Sequence, residues 1–239
     1  MKTDIIAFGA HPDDVELGCG GTIFNATQQG KTVGIIDLTR GELSTRGNVK
    51  SRAIEAANAA KALGVSIRFN VGLLDGFISN SKENQLEIIK LVRHYRPEVV
   101  FCNSVEDRHP DHAKSNLLVR EACYLSGLKK INSIGKDGYN QKIWRPKSIY
   151  SYIQWNNLKP DFVVDISGSI DAKMSAVQAY TSQFFDPLSL EPETPISSKN
   201  FIESVRYRAA DLGRLAHTSF AEGFITNRPI LVKSIFDLK

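Results

Sequence analysis

Short apolar runs alternating with segments of helical spacing restrict the first 125 residues to an α/β arrangement. Ile5-Ile6-Ala7-Phe8 and Val99-Val100-Phe101-Cys102 show no polar alternation, as expected of strands buried on both faces of a parallel sheet. The pattern predicts strands at 4–9, 32–38, 66–71 and 98–102, separated by helices at 14–29, 50–63 and 83–95. Ala53, Ile54, Ala57, Ala60 and Leu63 recur near helical spacing, as do Ile88, Ile89, Val92 and Tyr95, and Gly30, Gly64 and Pro97 stand where breakers belong. Such repetition implies right-handed βαβ units and a mostly parallel sheet with helices on both faces. A further helix is expected from Pro110 or Asp111 to Tyr124, then a polar excursion over Ser126–Lys147. Strands Ser148–Ile153 and Phe162–Ile166 follow, with helices near 168–184 and 199–213. The proline-rich Asp186–Ser198 segment between those helices is long for a connector and is expected to be a mobile loop near the site. With no internal repeat or second boundary, residues 1–239 read as one domain.

Charge and composition exclude several functions. The 30 basic and 26 acidic residues give a net +4, with no Lys/Arg-rich block of the kind that tracks nucleic acid. No apolar stretch reaches the roughly 18 residues of a membrane span, and Met1-Lys2-Thr3-Asp4 leads straight into the first strand without a signal-peptide pattern. Cys19, Cys102 and Cys123 are odd in number and widely spaced, which suits a reducing cytoplasm better than a disulfide scaffold.

Two clusters carry the chemistry. His11-Pro12-Asp13-Asp14 follows the first strand, and His109-Pro110-Asp111-His112 follows the fourth. The C-terminal ends of parallel strands are where ligands bind in open α/β sheets, so the clusters are expected to meet there. Imidazole and carboxylate suit Zn²⁺, and three such ligands with one open position form the catalytic pattern. The candidate ligands are His11, Asp14 and His112, holding one Zn²⁺ per chain, although the same donors also accept Fe²⁺ or Mn²⁺. A metal there lowers the pKa of water towards roughly 7. Asp13 would accept the proton as water attacks a carbonyl, and His109, as imidazolium, would stabilise the oxyanion or protonate a leaving amine. Asp111 is placed to orient that imidazole.

Other features have blander readings. Gly18-Cys19-Gly20-Gly21-Thr22 lacks a phosphate loop's Gly-Lys-Ser/Thr ending, so close packing of a helix on the sheet explains its glycines better. His94, His217 and Cys19 read as surface or packing residues. Among the arginines, Arg40, Arg46, Arg52 and Arg108 are candidates for binding an anionic substituent, Arg52 first.

Taken together, Ala10-His11-Pro12-Asp13-Asp14 with Glu16-Leu17-Gly18-Cys19-Gly20-Gly21-Thr22, and Arg108-His109-Pro110-Asp111-His112, resemble the zinc-dependent LmbE-like (PIG-L) N-acetylglucosamine deacetylases. Supporting matches are Asp37-Leu38-Thr39-Arg40-Gly41-Glu42, Arg52, Ala179-Tyr180-Thr181-Ser182-Gln183-Phe184 and Ala221-Glu222-Gly223-Phe224. The resemblance implies a Rossmann-like fold with zinc at the C-terminal sheet edge. It implies His11, Asp14 and His112 as ligands, Asp13 as base and His109 as electrostatic partner, and a homo-oligomer, commonly a hexamer. Within the family the chain is most similar to the bacillithiol-biosynthesis deacetylases, which act on N-acetylglucosaminyl malate; relatives act on inositol conjugates, phosphatidylinositol glycans or chitin fragments. Metal-dependent phosphoesterases usually need a second metal with extra bridging carboxylates, and the sequence has no obvious third acid cluster for it. A non-catalytic zinc or sugar-binding module would have no use for Asp13 and His109.

Overall fold

The computed structural model describes residues 2–238. Its strands are β1 (Ile5–Gly9), β2 (Val33–Thr39), β3 (Ile67–Leu73), β4 (Val99–Cys102), β5 (Ser148–Tyr152), β6 (Phe162–Asp165) and β7 (Ala221–Thr226). The helices are α1 (Asp14–Gln28), α2 (Val49–Ala62), α3 (Lys82–Tyr95), α4 (Pro110–Leu125), α5 (Ile170–Gln178) and α6 (Lys199–Leu215). One sheet of order β3-β2-β1-β4-β5-β7-β6 contains all seven strands. β1 to β5 are parallel, while β7 runs antiparallel between β5 and β6.

Strand alternation divides the core between the two faces. Ile5 and Ala7 of β1 join Val15, Ile23, Ala59 and Val177 from the helices of one face. Ile6 and Phe8 point the other way, to Ile88, Val92, Leu118 and Cys123 of α3 and α4. The cysteines are all free and buried. Among the described residues, no helix is long and apolar enough to cross a membrane.

The glycines of α1 do serve close packing. A Cβ on Gly18 would overlap the Tyr152 ring, and one on Gly21 would lie 2.8 Å from Ile166. α1 is broken at Cys19, whose backbone is not helical (φ −145°). The polar groups freed there are bound by a buried ion pair. Glu222 accepts from the amides of Gly21 (3.0 Å) and Thr22 (2.7 Å), and Lys173 Nζ donates to the Leu17 carbonyl (2.7 Å) and to Glu222.

Three elements differ from expectation. β3 extends to Leu73 rather than residue 71, so Asp75 falls just beyond its end. The helix expected over 168–184 ends at Gln178, because Glu55 of α2 draws the next segment into its own hydrogen bonds, at 2.7 Å from the Ser182 amide and 2.8 Å from its hydroxyl. β7 was not expected as a strand.

Candidate active site

The winding of the sheet reverses between β1 and β4, opening a crevice beyond their C-terminal ends. Asn103, just after β4, joins the two ends: its Oδ1 accepts from Ala10 N (2.9 Å) and its Nδ2 donates to Asp14 Oδ2 (2.9 Å). Asp14 and His11 thereby emerge beside the loop that carries His109 into α4. A cavity of about 360 Å³ opens there, lined by both clusters.

The expected ligands converge. His112 Nε2 is 3.1 Å from Asp14 Oδ1, and His11 Nδ1 is 3.6 Å from Asp14 Oδ2. Two sets of donor atoms each fall within 4.8 Å of one another, His11 with His109 and His112, and His11 with Asp75 and Asp111. Asp75 was not anticipated from the sequence. Its Oδ1 lies 3.0 Å from His11 Nε2, and its Oδ2 accepts from Leu43 N (2.9 Å). Asp107, likewise unanticipated, has Oδ2 3.5 Å from His112 Nδ1, a nitrogen with no hydrogen-bond partner. Each imidazole thus has one nitrogen toward Asp14 and the other toward a further carboxylate, the arrangement that orients histidine ligands at metal centres.

Burial disfavours charge on His11, yet hydrogen bonds to Asp111, Asp14 and Asp75 hold its pKa well above the ordinary value. Burial likewise opposes the His112 imidazolium, but Asp14 and Asp107 raise its pKa to about 9. The carboxylates therefore demand positive charge at both rings. A divalent cation supplies the same compensation, so the donor set fits a metal.

Asp13 occupies a left-handed backbone conformation (φ 119°) uncommon for a non-glycine residue. Arg52 holds it there, with Nη2 donating to the Pro12 carbonyl and to Asp13 Oδ2 (2.8 Å). Burial nonetheless pushes the Asp13 carboxyl up to about 7, against the opposing Arg52 charge.

The remaining expected site residues take different places. Arg52, the first-choice substrate anchor, lines the cavity but is buried, its guanidinium already engaged with Asp13, Pro12 and Ser44. Arg40 is exposed and is not among the residues lining the cavity. Arg46 anchors the loop predicted near the site, donating to Ser189 Oγ (2.7 Å), with Glu191 3.5 Å away. Arg46, Arg52 and Arg108 all line the cavity, and the Arg108 guanidinium lies 4.4 Å from the Trp155 ring centroid. Asp111 does not orient His109 with its carboxylate; Oδ2 accepts from Gly76 N (2.7 Å) and lies 3.6 Å from His11 Nε2. The His109 ring instead caps α4, Nδ1 accepting from Asp111 N (3.2 Å). That bond leaves the proton of the neutral ring on Nε2. Burial and the neighbouring His11 and His112 lower the His109 pKa, so the imidazolium expected there is disfavoured.

A family model described as GlcNAc-PI de-N-acetylase (PIG-L) matches residues 6–123. The diacetylchitobiose deacetylase of Thermococcus kodakarensis is 30% identical over 194 residues, covering 75% of this chain and 70% of that protein. Among solved structures, the conserved protein TT1542 from Thermus thermophilus is similar over 98% of both chains, with a TM-score of 0.86 and 34% identity. The N,N'-diacetylchitobiose deacetylase of Pyrococcus horikoshii shares the fold, with a TM-score of 0.78 and 23% identity over 93% of this chain and 83% of that one. Both clusters lie within the matched segment, and the chain belongs to the PIG-L deacetylase family.

Proposed function

We propose that this chain is a zinc-dependent deacetylase that converts N-acetylglucosaminyl malate to glucosaminyl malate and acetate. The observation that carries the chemistry is the convergence of His11, Asp14 and His112 beside Asp13 in one cavity. His11, Asp14 and His112 would hold the ion, with Asp75 and Asp107 orienting the two rings. When bound, the ion supplies Lewis-acid polarisation of the acetamide carbonyl and of the attacking water. Asp13 takes the proton from that water, its carboxylate aimed by Arg52. His109 donates from Nε2 to the oxyanion that develops as the carbonyl carbon becomes tetrahedral. Collapse of that intermediate breaks the C–N bond, and the proton held by Asp13 passes to the departing amine.

Malate is favoured over a neutral aglycone because Arg108 lines the cavity with no carboxylate paired to it among the described residues. The reading includes a single deacetylase unit over residues 1–239, a cytoplasmic setting, which the reduced and buried cysteines suit, and a homo-oligomer. Exposed Leu190, Leu231 and Phe236 offer apolar surface for a second copy to cover. The Thermococcus relative favours a second substrate reading, a chito-oligosaccharide.

Primary-amine release from N-acetylglucosaminyl malate, N-acetylglucosaminyl inositol, diacetylchitobiose and free N-acetylglucosamine separates these readings. The malate conjugate is expected to react fastest by at least tenfold. Preference for diacetylchitobiose would replace the substrate while keeping the chemistry.

A further inference from the structure

Arg208, on α6, also lines the cavity. Its Nη2 donates to the Trp155 carbonyl, while its Nη1 is buried without a hydrogen-bond partner. Arg46, Arg52 and Arg68 each face a carboxylate. Among the described residues, Arg208 has no ion-pair partner. Its electrostatic neighbour Asp107 already accepts from the Trp155 amide (3.1 Å) and the Arg108 amide (2.6 Å), and lies 3.5 Å from His112 Nδ1. Burial accordingly lowers the Arg208 pKa.

Trp155 links Arg208 to Arg108. The indole stacks on Phe201, with ring centroids 5.5 Å apart, and the Arg108 guanidinium lies 4.4 Å from the indole centroid. Two guanidiniums without acid partners are therefore held around one rigid aromatic residue, in the cavity that contains the histidines. An enclosed cation lacking its counter-charge is costly, and guanidinium pairs preferentially with planar carboxylate or with phosphate.

We propose that Arg208 and Arg108 form an oxyanion subsite for a carboxylate or phosphate on the aglycone of the substrate, and that Arg208 is a specificity-determining residue. The subsite deepens the deacetylase reading and rests on it for the identity of the sugar that the anion accompanies.

Calorimetric titration of the zinc-loaded protein with three deacetylated ligands tests the subsite without turnover: glucosaminyl malate, glucosamine 1-phosphate and neutral methyl glucosaminide. The wild type should bind at least one anionic ligand more tightly than the neutral one. Arg208→Met should weaken that ligand by roughly 10- to 100-fold, the range for a lost charged hydrogen bond, with the neutral ligand unchanged. The more tightly bound anion identifies the oxyanion. Equal weakening of charged and neutral ligands, or no anion preference in the wild type, would overturn the proposal. Arg108→Gln, at an exposed position, gives the same readout should Arg208→Met fail to fold. Amine release by the wild type from the N-acetylated counterparts is scored separately. Its absence alongside intact anion selectivity would reject the deacetylase reading and retain the subsite.

Discussion

Single residues divide the labour at the site, and His109 shows how closely position and role are tied. As the N-cap of α4 it accepts the Asp111 amide, which assigns its proton to Nε2 and suits it to hydrogen-bond donation. His109→Ala should therefore slow the reaction by roughly 10²- to 10³-fold, the cost of one oxyanion donor, with metal content unchanged. His112→Ala should lose the metal. Metal analysis of both variants checks this assignment, and loss of metal from His109→Ala would favour the alternative donor set of His11, His109 and His112. The two clusters and their ligand chemistry were legible in the sequence because each lies within four consecutive residues after an apolar strand. Asp75, Asp107 and Arg208 were not. Asp75 and Asp107 resemble ordinary loop acids, and Arg208 resembles a cation on a solvated helix face, until tertiary structure sets them against His11, His112 and Trp155.

At the scale of elements, continuous apolar runs marked the parallel half of the sheet, and β1, β2 and β4 lie within about a residue of their expected bounds. β7 escaped notice because Ala221-Glu222-Gly223-Phe224 places a charge and a glycine in a buried strand, a pattern tolerated only when a distant partner neutralises the charge. That partner is Lys173, and the pair binds the broken middle of α1, whose first turn carries Asp14. Glu222→Gln strands a buried ammonium and should destabilise the fold by about 3–5 kcal/mol. The double substitution Glu222→Gln/Lys173→Met should recover part of that loss. Urea denaturation measures both, and an unchanged midpoint in Glu222→Gln would remove the pair from the account of α1.

Across the whole molecule, the segments that follow β1, β3, β4 and β5 and helices α1, α2, α4 and α6 supply the site, so a metal bound there couples parts of the chain far apart in sequence. A ligand that binds only the folded state stabilises it by mass action, about 2.7 kcal/mol at a free concentration 100 times Kd. For a chain of this length, chelation should lower Tm by roughly 5–10 °C, and readdition of zinc should restore it. Equal melting curves with and without metal would argue against a site assembled from His11, Asp14 and His112.

The most direct measurement is acetate release from N-acetylglucosaminyl malate by wild type and Asp13→Ala, both loaded with one zinc per chain. The wild type should release acetate stoichiometric with the free amine, whereas Asp13→Ala should retain its zinc and lose roughly 10²- to 10⁴-fold in rate, as expected on removing a general base. Full activity in Asp13→Ala, or no acetate from the zinc-loaded wild type, would contradict the deacetylase account.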